Sequence, residues 1–448
     1  MTSDSGVTRM SVSASTQSRM PLLVWLLALL PGLLALPFVS AGELASAGAW
    51  LNLAGRLTGI LGLSLLLVAA MLCCRVPGFD RPFGGLTKLW LLHHQLGAWG
   101  FLLLLAHPLL LALSAVELSL TVALATLFTP TPALLWGWIA LLVLMLFMAP
   151  SFSFFGEPDY QRWKWLHRLS GITVVLALVH TFMLNRTLPG LWGQLTWSIF
   201  ALLTLAAISW RWVFSRWGGR QRYRVDKVER PANNVVELSL VPQAGLLQYE
   251  AGQFVYLSPH DPDLVNGIDE EHPYTLSSSP LEPVLRITIK SLGDASHALQ
   301  AIRPDTEVSI EGPYGGFFPA PDAPLAPELW IAGGIGITPF LARLRHYTRQ
   351  GIHLRAQLFF CVQDENRELF GEELRKLMAL QPDSRLHFHH FYREGPLNLQ
   401  FIAGRCPDFA ARTAYICGPV PLQQLAQQLL RQGGVPAKRI VTEEFVLF

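Results

Sequence analysis

Leu91-Leu-His-His-Gln-Leu-Gly-Ala-Trp-Gly-Phe-Leu-Leu-Leu-Leu-Ala-His-Pro108 sets His93, His94 and His107 into a run that is otherwise almost wholly apolar. The run extends over 90–113. A helix needs about 20 apolar residues to cross a bilayer, so the run reads as a membrane span. Ionisable side chains inside a membrane are costly to place and mark function. Imidazole is a common axial ligand of haem iron. His93 and His107 are 14 residues apart. At about 100° per residue that falls about 40° short of four turns, so both point to roughly one face, about 21 Å apart along the axis.

Five more apolar stretches flank this one, at 21–40, 52–73, 133–149, 166–184 and 194–213. The span at 133–149 follows a break at Pro130 and Pro132. The polar start, 1–20, rich in Ser and Thr, reads as a disordered tail. The apolar run after Arg19 reads as an uncleaved first span and not a signal peptide, because more spans follow it. Of the 448 residues, 51% are hydrophobic and only 15% charged, where soluble proteins carry roughly a quarter. The net charge of +2, with its basic residues dispersed, excludes a nucleic-acid binder. The five cysteines form no CxxC motif and no disulfide framework.

Basic residues orient the spans. Arg9 and Arg19 precede the first. Arg75, Arg81 and Lys88 lie between the second and third, Arg162 and Lys164 between the fourth and fifth, and Arg211, Arg216, Arg220 and Arg222 at or beyond the end of the sixth. The alternate loops at 41–51 and 114–132 hold no Lys or Arg, and 185–193 holds only Arg186. Both termini and all the basic loops are therefore expected on the cytoplasmic side of an integral, multi-pass protein of the plasma or inner membrane.

The fifth span repeats the pattern of the third, with His167 near the cytoplasmic face and His180 deeper. Pairing by depth sets His93 with His167 for an inner b-type haem and His107 with His180 for an outer one. His94 is a spare. Bis-histidine ligation suits electron transfer, since it fills both axial positions. One difficulty is geometric. His167 and His180 are 13 apart, which an ideal helix would turn about 140° away from each other. A bend or a π-bulge is expected there.

From about Arg220 the chain reads as a soluble protein. Alternating strands at Val235–Leu240, Phe254–Leu257, Leu285–Ile289 and Glu307–Ile310 suggest a small antiparallel barrel. Leu329-Trp-Ile-Ala-Gly-Gly-Ile-Gly-Ile-Thr-Pro-Phe340 then runs from a buried strand through a glycine-rich turn into a helix. Such a turn brings backbone N–H groups to a pyrophosphate. Strand–helix units at 356–362 with 370–379 and at 413–417 with 420–432 complete a doubly wound α/β nucleotide-binding layer. The expected fold is thus a six-helix transmembrane bundle, an antiparallel β-barrel flavin domain and an α/β nucleotide-binding domain. The boundaries fall at 1–20, 21–217, 218–322 and 323–448.

The soluble half resembles the ferredoxin–NADP reductase superfamily. The chain after its tail resembles the ferric reductase and NADPH oxidase family, particularly its compact bacterial members. The most specific motif is His272-Pro-Tyr-Thr-Leu-Ser-Ser-Ser-Pro280, similar to the family's flavin segment. Ile287-Thr-Ile-Lys-Ser-Leu-Gly-Asp-Ala-Ser296 and Glu311-Gly-Pro-Tyr-Gly-Gly316 resemble the second flavin loop and the turn closing the barrel. The resemblance implies flavin contacts from Gln253, Phe254, His272, Pro273, Tyr274, Thr275, Leu276, Ser277, Ile289, Lys290, Gly293, Ser296 and Gly312, with Tyr274 beside the ring and Thr275 and Ser277 hydrogen-bonding it or its phosphate. FAD is implied, although the barrel can hold FMN. Gly333, Gly334, Gly336, Thr338 and Pro339 match the pyridine-nucleotide loop. Cys417-Gly418-Pro419 matches the segment beside the nicotinamide. His93-x-x-Leu-Gly97 through Ala106-His-Pro108, and Trp165-Leu-His-Arg168 through His180, match the haem helices, and the family uses the same 13-residue spacing.

The resemblance makes the chain an oxidoreductase passing electrons from NADPH, with NADH as the alternative, through FAD and two b-type haems to an acceptor outside. That acceptor is O2, a ferric ion or other small acceptor, or a partner protein on the outer face. Gln363 stands where some relatives carry a phosphate-pairing arginine, and Arg367 is the candidate substitute. Leu111 stands where animal oxidases carry a further histidine. Arg56 is a lone cation near the outer end of the second span, where the relatives have an arginine. Phe445 and Phe448 are the candidates to shield the flavin.

Overall fold

In the computed structural model of the protein, residues 14–129, 131–152, 160–184, 188, 190–215, 219–264, 266–319 and 325–443 are described. Phe445 and Phe448 lie outside the described residues, as do Arg9, Arg186 and Arg216. The chain forms two compact units.

One unit holds the apolar helices: α1 (Ala14–Ala35), α2 (Ala47–Leu72), α3 (Leu86–Ser114), α4 (Leu120–Phe128), α5 (Pro132–Met148), α6 (Tyr160–His167), α7 (Ser170–Leu184) and α8 (Gly190–Ser209). Among the described residues six helical stretches are long and apolar enough to cross a membrane, with α6 and α7 together forming the fifth. Large apolar side chains such as Leu102, Leu109, Leu142, Leu146 and Leu202 stay exposed along them, as a lipid-facing surface requires. The first helix begins at Ala14, inside the stretch expected to be a disordered tail. The short α4, capped by the Ser119 hydroxyl, lies in what was expected to be a loop.

The fifth span is interrupted. Arg168 and Leu169 donate backward to Trp165 and Leu166, three residues earlier, so the chain leaves α geometry between His167 and Ser170. The expected bend is present as a turn in this span. The π-helical stretch is elsewhere, at Trp210–Phe214 in the sixth span. Helix α5 packs along α7, and α2 packs along both α1 and α8.

The other unit holds 77–86 and the described residues from Ser215 onward. Strands β1 (Arg220–Ala232), β2 (Val235–Pro242), β3 (Phe254–Pro259), β4 (His272–Thr275), β5 (Leu285–Lys290) and β6 (Glu307–Tyr314) form an antiparallel sheet in the order β4-β3-β6-β1-β2-β5. A bridge between Leu276 and Ile287 links its two ends, so the sheet curls into a half-barrel. Val225, Val236, Leu238, Val255, Leu257 and Ile287 fill it. Segment 77–86 belongs to this unit: Asp80 accepts a hydrogen bond from the Gly315 N–H (2.9 Å) and Arg81 pairs with Glu250 (3.2 Å).

Strands β7 (Glu328–Gly333), β8 (Ala356–Val362), β9 (Arg385–His390), β10 (Thr413–Cys417) and β11 (Ile440–Glu443) form a parallel sheet in the order β11-β10-β7-β8-β9. Its inner strands β7, β8 and β10 are mainly apolar and buried, as parallel strands covered on both faces are, whereas the edge strands β9 and β11 carry His, Arg, Thr and Glu. The order reverses beside β7, between β8 and β10, and the carboxyl ends flanking such a switch point are where α/β sheets bind ligands.

Candidate functional site

The four histidines meet as two pairs. The ring centres of His93 and His167 are 6.1 Å apart, and those of His107 and His180 are 6.5 Å apart. Two imidazoles on opposite sides of one metal, each with a metal–nitrogen bond of about 2.0 Å and about 1.1 Å more to the ring centre, stand roughly 6.2 Å apart. The pairs therefore have the spacing of axial haem ligands. Among the described residues no three His, Cys, Asp or Glu side chains cluster as they would around a bare metal ion.

The second ring nitrogen supports the same assignment. His93 Nδ1 lies 2.7 Å from the Ala69 carbonyl, His107 Nδ1 2.6 Å from Gly55, and His180 Nδ1 2.7 Å from Ala133. A carbonyl only accepts, so each of these Nδ1 atoms carries the proton and Nε2 keeps its lone pair. Metal-bound histidines use this arrangement. His167 differs. Among the described residues its buried Nδ1 has no hydrogen-bond partner, and the rings of Phe147 and Trp163 hold it, at 5.3 and 5.0 Å.

His107 and His180 line a cavity of about 1100 Å³ within the helical unit. Arg56 lines it too, together with Leu111, Asn52 and Glu117. Glu117 was not expected from the sequence. Its carboxylate accepts from the Gly48 N–H (2.7 Å) and the Ser46 hydroxyl (3.1 Å), so it caps the start of α2 from a distant loop.

In the other unit the flavin segment lies on the edge strand β4. Thr275 pairs with Phe254, Tyr274 with Val255, Pro273 with Tyr256 and His272 with Leu257. An edge strand is where Pro273 is tolerated. Gln253 is buried beside it and donates to the Gly315 carbonyl (3.1 Å). Gly312 packs against Val255 so closely that a Cβ would come within 3.1 Å of it. Gln253, Phe254, Thr275 and Gly312 are thus brought together. Leu276 and Ile289 sit in the barrel core.

Ser277 turns inward. Its hydroxyl donates to Glu237 (2.8 Å), which Arg345 also contacts (3.2 Å), and Arg345 donates to the Ser277 carbonyl (2.8 Å) and to Glu373. This buried network was not legible in advance, because its members lie far apart in sequence. Burial opposes the Arg345 charge, but the Glu373 and Glu237 carboxylates outweigh it and hold the guanidinium firmly protonated. The Ser296 hydroxyl is engaged within its own turn, with the backbone of Leu292 and Gly293.

At the switch point two loops pack backbone to backbone. A Cβ on Gly336 would lie 2.4 Å from the Cys417 carbonyl oxygen, and one on Gly418 would lie 3.0 Å from the Gly333 nitrogen. Gly333 has the same constraint from Leu422 and Pro419. Gly334, at φ +53°, lies with its Cβ position 3.9 Å from Lys290 Nζ, so that amine approaches the glycine turn. Thr338 and Pro339 are buried at the start of the helix Thr338–Gln350, with the Thr338 hydroxyl on the Ile335 carbonyl. Cys417 is fully buried, and burial, aided by Glu443, raises its thiol well above the ordinary range. Arg367, beyond the carboxyl end of β8, is exposed and 3.6 Å from Asp364.

Residues 58–178 match the family described as ferric reductase like transmembrane component, 220–317 match an FAD-binding domain and 330–428 match an oxidoreductase NAD-binding domain. The chain is 28% identical over 246 residues to an NADPH oxidoreductase of Mycobacterium tuberculosis, covering 52% of this chain and 62% of that protein. It is 32% identical over 209 residues to the ferredoxin reductase component of a 3-ketosteroid-9-alpha-monooxygenase of Mycolicibacterium smegmatis, covering 45% and 57%. The chain thus spans about three-fifths of the length of these relatives. A cytochrome P450 reductase from Amycolatopsis aligns in structure with a TM-score of 0.44 at 18% identity, covering 50% of this chain and 69% of that one.

Proposed function

We propose that this chain, a membrane oxidoreductase joining a ferric reductase-like transmembrane component to FAD-binding and NAD-binding domains, carries electrons from cytoplasmic NAD(P)H through FAD and two b-type haems to O2 on the far side. The balanced reaction takes one NAD(P)H and two O2 to NAD(P)+, two superoxide ions and one proton. The observation that carries it is the pair of histidine couples, 6.1 and 6.5 Å between ring centres, with His93 and His107 separated along α3 by about 21 Å.

Bound flavin converts the two electrons of a hydride into single transfers, and bound haems carry single electrons at two depths. The chain's own part is position. The Gly333–Gly336 and Cys417–Pro419 loops fix the nucleotide at the switch point, and the half-barrel edge at Phe254 and Thr275 holds the flavin. Backbone carbonyls fix the proton on Nδ1 of His93, His107 and His180, leaving Nε2 as the ligand atom. Arg56, on the same cavity as His107 and His180, supplies a cation where reduction of O2 creates an anion. The basic loops orient both termini toward the cytoplasm.

A second acceptor class has one observation in its favour: the Glu117 carboxylate lines that cavity and suits a metal cation. The test is the full-length chain in detergent, loaded with FAD and haem and supplied with NADPH. The oxidase reading predicts cytochrome c reduction that superoxide dismutase abolishes. Reduced haem that reacts far faster with ferric chelates than with O2 would replace it with a metal reductase.

A further inference from the structure

The two outer histidines are seated in the same way on two different helices. His107 donates from Nδ1 to the carbonyl of Gly55 on α2, and His180 donates to that of Ala133 on α5. Four residues beyond each carbonyl stands a glycine. A Cβ on Gly59 would lie 2.7 Å from His107 Nδ1 and 2.8 Å from Cε1. A Cβ on Gly137 would lie 2.7 Å from both Nδ1 and Cε1 of His180. Heavy atoms do not approach that closely without something moving.

The spacing has a physical reason. In an α-helix the carbonyl of residue i already accepts from the N–H of residue i+4. A short hydroxyl can also reach such an oxygen, as Thr58 does at Gly55 (2.8 Å), but the two imidazoles come in alongside residue i+4, where a Cβ would stand. Glycine leaves that place empty. The inner His93 needs no such gap. Its acceptor, Ala69, is in the last turn of α2, where Cys73 N–H turns to Ala70 instead, so the Ala69 carbonyl is a helix-end orphan. The residue four beyond it is accordingly Cys73 and not glycine.

We propose that Gly59 and Gly137 are positioning residues for the outer haem: each makes a seat that locks its imidazole to a backbone carbonyl and so sets that haem's reduction potential. The inference rests on the haem reading above. A strong Nδ1–H···O bond makes Nε2 a better donor, and loss of such an outer-shell partner typically costs 10–100-fold in metal affinity or activity. A stronger donor favours ferric iron, so a broken seat raises the outer potential.

The test uses the full-length, haem-loaded chain. Gly59→Ala and Gly137→Ala are each examined by haem content, by potentiometric titration and by EPR of the ferric low-spin signals. Each should keep both haems. Each should raise the outer potential by at least the equivalent of a tenfold change in the ferric/ferrous equilibrium, about 59 mV for one electron, while the inner potential stays put. Gly62→Ala is the control: its Cβ would meet Leu104 and the Gly100 carbonyl on α3, not a histidine. A Gly62→Ala shift equal to the others would reduce the effect to general packing and overturn the proposal. So would unchanged outer potentials in both seat variants. If neither seat variant folds, pulsed EPR on the unsubstituted protein decides, because a strongly hydrogen-bonded remote nitrogen has a distinct quadrupole coupling. Its absence from the outer signals rejects the seats. A wild-type chain without haem would remove the haem reading itself, an outcome distinct from two haems with unmoved potentials.

Discussion

His107 has one ring nitrogen committed to the Gly55 carbonyl and the other left with its lone pair, facing a cavity it shares with His180. His107→Ala should therefore lose the outer haem and keep the inner one, halving the haem content per chain by pyridine haemochrome assay. Two haems retained with unchanged spectra would refute the pairing. Cys417 is a different kind of residue. Its thiol is raised by burial, and those of Cys361 and Cys406 are pushed up to about 12 by the same cause. All three stay protonated at pH 8, and the thiol is not the nucleophile. Iodoacetamide at that pH should leave Cys417 unlabelled until the chain is denatured, as read by peptide mass spectrometry. Arg345 is the residue whose loss should weigh most. Removing it leaves Glu237 buried without its cation, which costs about 3–5 kcal/mol. Arg345→Met should release flavin at a lower temperature, with haem bands unaffected at the point of release. Coincident loss of flavin and haem would contradict that.

Elements were legible where a single period dominated. The spans were readable from length alone, and β2, β3, β5 and β6 from alternation. Strand β1 was not. Its outward positions carry Arg220, Arg222 and Arg224, and only Tyr223 and Val225 in its first turns of alternation are buried, so it reads as a basic linker. Strand β4 is four residues long and contains proline, which hides it from any propensity argument. The interruption of the fifth span was legible only as a conflict. A straight helix would have turned His180 away from His107, and the turn at Arg168–Leu169 resolves it. The carbonyls that receive the histidine protons carry no sequence signal of their own, being backbone. The flavin segment yields a test of its own. Thr275 lies beside Phe254 on the edge strand, so Thr275→Ala should weaken FAD affinity while the haem spectrum persists. Unchanged affinity would take Thr275 out of the site.

On the scale of the molecule, motif order along the chain carried more than any one motif. The switch point gathers Gly333, Gly336 and Cys417 from segments about 80 residues apart in sequence, which is what a doubly wound sheet does. On the proposed reading, nucleotide choice falls at the carboxyl end of β8. Arg367 there is exposed and shared with Asp364, so NADPH should be preferred modestly. A charge-assisted pair contributes about 1.5–3 kcal/mol, and a tenfold fall in the NADPH/NADH ratio of kcat/KM is expected for Arg367→Ala. An unaltered ratio would show that Arg367 does not read the phosphate. At the other end, Arg56→Leu should slow superoxide output while leaving anaerobic reduction of haem by NADPH nearly intact. Haem reoxidation by O2 at the wild-type rate would make Arg56 structural.

The most direct measurement of the central claim is an anaerobic reduction of the purified, full-length chain in detergent, with FAD and haem quantified per chain and NADPH added. The account predicts two low-spin b-type haems per chain, both reduced by NADPH only when FAD is present. A chain that oxidises NADPH through FAD yet binds no haem, or whose haems stay oxidised, would contradict it.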